Sequence, residues 1–439
     1  MIHDAIVVGA GLSGLVCARR LAAAGANAIV VEARARVGGR LWNGKVGEAI
    51  VDLGGQWLSV DQPRLLALAT ELGVPSAPQP RAGRPVLDEG GLAHGLFAQL
   101  GMAIAQWYAV RRIQRMVRAI PQEAPAEARD AAALDAVALG PWLAGTIGNP
   151  VARARLAMHA ELVFAADPAG LSLLAYLARL GTTGGFAPRG PDLPGGGRDH
   201  RFVGGAQTLA HRLAEGLGDA VRLDAPALAI DRDGTSRIVR GSQGSYTARH
   251  VVLAVPPSLA IRIAPTLPEP IRRLGAAMQR GGVVKCFAAY DRAFWREAGL
   301  SGEAYRPHGT VRAIVDASAP DGGSSVLLAF IVGAAATAWH ARDPAGRRRE
   351  VLETLAGLFG EPARTPLDYL EADWAIDPWS AGCVASTPPG ALSPGAIWRG
   401  AHDRIHLAGA EAAVRWPGYM EGAIEAGARA AEDVLSVRR

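Results

Sequence analysis

Asp4-Ala5-Ile6-Val7-Val8-Gly9-Ala10-Gly11-Leu12-Ser13-Gly14 is the stretch on which the fold turns. Residues 4–9 are a continuous apolar run after the first position, the pattern of a strand buried in a parallel sheet. A helical pattern runs from Leu15 to Ala24 and stops at Gly25. A second apolar run, Ala28 to Val31, ends in Glu32. The unit reads strand, glycine turn, helix, strand, and each glycine has a task in it. Gly9 permits the tight turn, Gly11 lets backbone approach a pyrophosphate, and Gly14 lets helix and strand pack closely. Ser13 sits in the same turn. Phosphates would lie at the helix N-terminus, where free N–H groups and the dipole favour anions. Glu32, 18 residues after Gly14, is placed to accept a hydrogen bond from an adenosine ribose 2′-hydroxyl. The unit predicts a dinucleotide site.

The rest of the chain sets bounds on that reading. Its 439 residues suggest two or three domains and a sizeable core. With 49% hydrophobic and 20% charged residues the composition excludes global disorder. The net charge of +5 is spread along the chain without a basic tail, which makes no case for a nucleic-acid partner. Arg111, Arg112, Arg115 and Arg118 recur at helical spacing and read as a solvated helix face, with a membrane-surface or acidic-partner patch as the alternative. Three cysteines, Cys17, Cys286 and Cys383, provide neither a disulfide framework nor metal-ligand spacing. The N-terminus enters a strand without a charged-then-apolar leader. The most apolar helical stretch, Leu96 to Val110, is too short to span a bilayer and contains Gln99 and Gln106. The expectation is a soluble cytoplasmic protein with no bound metal. Among the 46 basic residues 44 are arginine, so the two lysines, Lys45 and Lys285, each stand against the chain's default cation.

The kind of dinucleotide depends on the residues after Glu32. Arg34 could pair with a 2′-phosphate of NADP, but an acid at the strand end argues against it. Next come Ala33, Arg34 and Arg36, then Val37-Gly38-Gly39-Arg40-Leu41. The second glycine pair extends the loop, and Arg40 can reach the same pyrophosphate bidentately. This Glu-Ala-Arg-x-Arg-x-Gly-Gly-Arg run resembles the FAD-binding N-terminus of the flavin-containing amine oxidase superfamily, the monoamine and polyamine oxidases and their relatives.

The resemblance continues along most of the chain. Asp52-Leu53-Gly54-Gly55-Gln56-Trp57 is similar to the segment that passes beside the flavin ring, where small residues let backbone approach the isoalloxazine. Phe202-Val203-Gly204-Gly205 resembles the re-entry into the FAD domain, followed by a helix from Ala206 to Leu217. Val221 to Ala227 reads as a strand whose backbone at Ala227 would contact adenine. Arg249 to Pro257 matches a further strand. Ile405-His406-Leu407-Ala408-Gly409-Ala410-Glu411 is a strand ending in a glycine turn, and by resemblance Gly409 and Glu411 lie near the phosphates and ribityl chain. Trp416-Pro417-Gly418-Tyr419-Met420-Glu421-Gly422-Ala423 opens a last helix. There the resemblance implies that the Met420 N–H faces the flavin N1–C2=O edge, where a helix N-terminus stabilises the negative charge of the reduced ring.

The implied fold class is α/β, with a discontinuous Rossmann-like FAD-binding domain around a parallel sheet, from residues 1–75, 203–277 and 378–439. A second, substrate-binding domain of mixed sheet plus helices takes residues 76–202 and 278–377 and includes Val326 to Val332 as a strand. The Pro/Gly-rich stretches Pro75 to Gly91 and Gly181 to Gly197 read as crossings and loops. The implied activity is FAD-dependent oxidation of an amine C–N bond to an imine, which water hydrolyses to an aldehyde or ketone while oxygen is reduced to hydrogen peroxide. An L-amino-acid oxidase, or a dehydrogenase or desaturase passing electrons to a carrier, is the alternative within the superfamily. A redox-silent flavoprotein is the alternative outside it. A homodimer is compatible with all of these.

Lys285 is the residue most exposed to a functional reading. It stands in Gly281-Gly282-Val283-Val284-Lys285-Cys286-Phe287-Ala288-Ala289-Tyr290, where a charge inside an apolar strand is either buried, at a desolvation cost that depresses its pKa, or on an edge strand and turned to water. By resemblance it is the family's active-site lysine, which holds a water against flavin N5 and assists reoxidation or imine hydrolysis. Trp374 has the spacing of a tryptophan packed on the dimethylbenzene edge. Cys383 falls where monoamine oxidases bond a cysteine to the flavin 8α-carbon. Here Thr387-Pro388-Pro389-Gly390 comes one residue closer than in that pattern, so non-covalent FAD beside a small buried thiol is the expectation and a covalent link the alternative. Tyr419 matches one wall of the family's aromatic cage, and the residue at the other wall is Val384, so half the cage is missing. Leu162 and Arg198 would complete the substrate pocket. An inward Arg198 would favour a carboxylate-bearing substrate, and an outward one is a surface-loop residue.

Overall fold

Both faces of the first apolar run are covered, Ala5 and Val7 by one core cluster and Ile6 and Val8 by another, and a mid-sheet position pairs both its edges. In the computed structural model, which describes residues 2–88, 96–183, 199–319, 323–380, 382–392 and 397–437, strand Ile2–Val8 lies inside an eight-stranded sheet. Ala5, Ile6 and Val7 are fully buried there. The strand pairs in parallel with Ala28–Val31 on one side and with Gly244–Leu253 on the other. Val221–Arg222 extends the sheet in parallel beyond Ala28–Val31, and Ile405–Leu407 lies parallel to Gly244–Leu253.

Two expectations about this sheet need correction. It is mixed, because Ala227–Asp233, Ser236–Gly241 and Gly244–Leu253 form an antiparallel meander. Their connections are two residues long, which closes a hairpin, whereas parallel neighbours need a crossover of a dozen residues or more. The run Val221 to Ala227 is also two strands: the first stops at Arg222, Asp224 takes φ 53°, and the next begins at Ala227.

The first and last helices, Leu12–Ala23 and Met420–Ser436, pack against each other over this sheet. They touch backbone to backbone, since a Cβ at Gly427 would sit 2.2 Å from the Ser13 carbonyl oxygen. Glu421, buried in the first turn of the last helix, accepts from the Leu65 N–H at 2.8 Å and so caps helix Pro63–Glu71.

A second sheet has six strands in the order Asp368–Asp373, Val283–Tyr290, Ser325–Val332, Val311–Asp316, Leu300–Tyr305 and Arg84–Leu87. Its pairs are antiparallel except for the edge pair of Arg84–Leu87 with Leu300–Tyr305. Every residue of Val283–Tyr290 is buried, as its sequence demands. The stretch Pro75 to Gly91, read as loop, contains two strands, Ser76–Pro78 and Arg84–Leu87, because both find sheet edges to pair with. Residues 184–197 of the other Pro/Gly-rich stretch lie outside the described residues.

Helices Leu96–Arg118, Pro150–Phe164 and Leu173–Thr182 form a separate layer around Ile113, Leu156 and Tyr176. Arg111, Arg112, Arg115 and Arg118 are exposed on the first of them. That helix also exposes Leu100, Ile104, Trp107 and Tyr108, so its outer surface is part apolar rather than purely charged.

Candidate active site

A cavity of about 430 Å³ is lined by segments of both sheets and by the chain's two ends. One part of its wall is the turn Gly9 to Ser13. A Cβ at Gly14 would lie 2.0 Å from the Gly9 carbonyl oxygen, so the helix can approach the strand this closely only without a side chain. Ser13 Oγ donates to the Ala408 carbonyl and ties the turn to the C-terminal segment. Glu32 closes the same end: its carboxylate accepts from the Ala10 N–H at 2.8 Å and from the Arg34 N–H at 3.0 Å.

Two arginines nearby are committed to carboxylates. The Arg34 guanidinium donates to Asp377 at 2.5 Å and to Ser380 at 2.7 Å, which leaves it poorly placed to clamp a 2′-phosphate. Arg40 bonds Glu411 through both forks, at 2.6 and 3.1 Å, and reaches the Cys383 carbonyl at 2.8 Å. The two residues expected separately near the phosphates are therefore partners. Arg40 holds the Glu411 carboxyl below the usual carboxylate range, against the upward push of burial. Buried alone, the Glu411 carboxylate would carry its full desolvation cost; the pairing with Arg40 offsets it.

The other part of the wall carries Lys285, Gln56, Trp57, Phe330, Trp374, Cys383 and Tyr419. Lys285 is 5% exposed, and its Nζ donates to the Asp52 carbonyl at 2.8 Å, the Gly54 carbonyl at 2.7 Å and Gln56 Oε1. Burial pushes the Lys285 ammonium down to about 8, with Asp52 opposing. Burial also pushes Asp52 up to about 6, opposed by the Ala206 N–H, Lys285 and Arg201. The Cys383 thiol is pushed up by burial, against the pull of Arg40 and Lys285. Trp374 donates its indole N–H to the Leu53 carbonyl at 2.7 Å, and Trp416 meets the Tyr419 ring edge-on at 5.2 Å.

Most residues expected at the site reach this one cavity: Gly9, Gly11, Ser13, Glu32, Ala33, Arg34, Gly39, Arg40 and Leu41 from the N-terminal segment, and Gly54, Gly55, Gln56 and Trp57 from the next. Leu162, Ala227, Lys285, Trp374, Cys383, Val384, Tyr419 and Met420 line it as well. Gly14, Gly409 and Glu411 stand behind the wall. Packing of two loops by itself requires glycine at position 54: a Cβ there would fall 2.0 Å from the Arg40 carbonyl oxygen. Arg198 lies outside the described residues.

Several residues at the site carry no sequence signal of their own. Asp52, quoted above only as the start of the flavin segment, accepts from Lys285 at its carbonyl and from the Ala206 N–H at its carboxylate. His159 and Phe330 line the cavity from a helix and a strand whose apolar patterns conceal them. Arg179, 8% exposed, donates to the Pro417 carbonyl and lies 5.8 Å from the Tyr419 ring, behind the turn that presents that residue. In a chain whose default cation is arginine, nothing marks this one out.

The residues present fit a flavin dinucleotide. A glycine cradle at a helix N-terminus suits the phosphates, and an aromatic, largely apolar slot holds one buried donor, Gln56 Nε2, without a partner among the described residues. Met420 stands first in its helix, where N–H groups lack intrahelical acceptors. Among the described residues no group of three His, Cys, Asp or Glu side chains is arranged to hold a metal ion, and no helix is long and apolar enough to cross a membrane.

The sequence profile of the flavin-containing amine oxidoreductases matches residues 12–435. The chain is 32% identical to human flavin-containing amine oxidase B over 98% of its own length and 86% of that protein's. In three dimensions it matches a putrescine oxidase bound to putrescine, with TM-score 0.93 and 29% identity over 99% of both chains. Cyclohexylamine oxidase from Brevibacterium oxydans IH-35A matches with TM-score 0.93 and 30% identity over the full length of both. The chain belongs to the flavin-containing amine oxidoreductase family. It is an FAD-dependent enzyme that oxidises amines.

Proposed function

We propose that this enzyme oxidises a neutral, predominantly apolar amine, with FAD held non-covalently and oxygen as the acceptor that yields hydrogen peroxide. The observation that carries the substrate class is the aliphatic part of the wall, made by Leu162, Val163, Leu180 and Val384. Against those four side chains an ammonium would lose its hydration with no counter-charge among them, which favours the neutral amine. Held along the Gly9 to Ser13 turn and the Gly54 to Trp57 segment, FAD would supply the two-electron oxidation at the carbon next to nitrogen. Tyr419 presents a ring face against which the amine is oriented, and Val384 in place of a second aromatic widens the slot. Lys285 fixes the backbone of Asp52 and Gly54 beside the ring position. The Cys383 thiol, held protonated by burial, is a poor nucleophile, which supports non-covalent FAD. Water hydrolyses the product imine to a carbonyl compound.

The same reading divides the chain into a discontinuous Rossmann-like FAD domain (residues 1–75, 203–277 and 378–439) and a substrate domain (76–202 and 278–377). It places the enzyme in the cytoplasm and allows a homodimer. Anaerobic bleaching of the yellow protein by a panel of amines tests the substrate class. Apolar monoamines and cyclic amines should bleach it and then support oxygen uptake. Bleaching by L-amino acids alone would overturn the substrate class. Bleaching by amines without oxygen uptake would overturn the acceptor. Lys285→Met should slow turnover in air about tenfold or more, the scale of one charged hydrogen-bonding group lost from a buried site.

A further inference from the structure

An ammonium has three donors and no acceptor. At Lys285 all three are taken, by the Asp52 carbonyl, the Gly54 carbonyl and Gln56 Oε1. This arrangement decides how the Gln56 amide is turned. Oxygen must face Nζ, because the opposite orientation would set an NH₂ group against a cation, so Nε2 points away from it. Gln56 is 4% exposed and lines the cavity, and its Nε2 has no hydrogen-bond partner among the described residues. A buried donor left unpaired costs about 1–3 kcal/mol. Flipping cannot relieve that cost here. Moreover, a cation bonded to one end of an amide polarises it and strengthens donation from the other end. Gly55 and Trp57, on either side of Gln56 in the chain, line the same cavity.

We propose that Gln56 Nε2–H is a preset hydrogen-bond donor to an acceptor atom of the flavin ring, and that Lys285 acts on the flavin through Gln56 rather than by direct contact. The inference rests on the FAD reading and adds to it a named donor and a direction of influence. A ring that gains electrons gains negative charge, and a hydrogen bond to a charged acceptor is stronger than one to a neutral acceptor. Gln56 therefore favours the reduced flavin. Lys285 is a positioning residue in this arrangement, since its own donors are spent on the protein.

The test is the flavin's midpoint potential and absorption spectrum, measured by dye titration on purified holoenzyme. Wild type must first be yellow and reducible; a colourless protein would remove the FAD reading itself and leave nothing for Gln56 to act on. With that established, Gln56→Met should shift the oxidised/reduced equilibrium about tenfold toward oxidised, about 30 mV for a two-electron couple. Lys285→Met should shift it the same way, and the double variant should add little to either, because both sever one chain. Gln56→Glu keeps the shape and the bond to Lys285 but has no N–H, so it should also lower the potential; it serves if the methionine variant does not fold. An unchanged potential and spectrum in the Gln56 variants would overturn the proposal. So would fully additive shifts from Gln56→Met and Lys285→Met, or an effect of Gln56→Met confined to substrate KM.

Discussion

A thiol attacks only as its thiolate, and at Cys383 burial holds the proton on in spite of Arg40 and Lys285. Acid precipitation of the holoenzyme should therefore leave the yellow colour in the supernatant; colour in the pellet would establish a covalent bond. Gly14 offers a second test at this scale. With the Gly9 carbonyl oxygen 2.0 Å from where a Cβ would go, Gly14→Ala must push the helix off the strand. Overpacking of this kind costs about 1–3 kcal/mol, and the phosphate cradle moves with it, so FAD affinity should fall along with the melting temperature. A variant that bound FAD normally would show that the turn tolerates the shift. Gly14 was legible from glycine spacing within one local unit. The Arg40–Glu411 pair was not, since its members lie 371 residues apart and each had a sufficient role alone. Gln56 was legible as a residue of the flavin segment, but the direction of its amide is set by Lys285, a contact across 229 residues.

The parallel strands Gly244–Leu253 and Ile405–Leu407 carry a buried histidine pair between them, His250 Nδ1 and His406 Nε2 at 3.0 Å. Burial, with His250 and His402 nearby, pushes His406 from the ordinary 6.5 down to about 4. Arg404, Arg237 and Arg249 add to the effect of burial on His250, and Asp4 opposes them. The folded pKa lies below the unfolded one, so between pH 6.5 and 4 the unfolded chain binds more protons. Stability from this pair is complete above pH 6.5 and is lost as pH falls toward 4, on the order of 3 kcal/mol at about 1.4 kcal/mol per unit. Thermal melts between pH 7.5 and 4.5 should show it as a falling melting temperature, and His406→Phe should flatten the fall; a variant as acid-sensitive as wild type would sink the assignment. The strand expectations, Arg249 to Pro257 and Ile405 to Glu411, overlap both, though the first strand begins at Gly244 and ends at Leu253. They failed at Val221 to Ala227, where the left-handed Asp224 breaks the run, and at Pro75 to Gly91, where turn-forming residues masked two strands that neighbouring edges stabilise.

At the scale of the whole molecule the cavity has no local builder. Its wall takes Gly9 from the turn after the first strand, Lys285 from the second sheet, Leu162 from the helical layer and Met420 from the last helix. A ligand that fills it bonds these parts to one another and stabilises the folded state by RT ln(1 + [L]/Kd), about 2.7 kcal/mol at a hundredfold excess over Kd. Removing FAD should therefore lower the melting temperature by several degrees, and adding it back should restore the value in proportion to its logarithm. Equal melting of the apo and holo proteins would mean that the cavity is not where FAD binds. The sequence by itself determined the dinucleotide unit, the flavin family and the burial of Lys285, because each rests on residues close together in the chain or on one rare residue type in an apolar strand. Only the tertiary structure decided which charges neutralise each other, which way the Gln56 amide faces and why Gly54 has no side chain. Those depend on distances between segments hundreds of residues apart, and burial makes their pairing obligatory only once the segments have met.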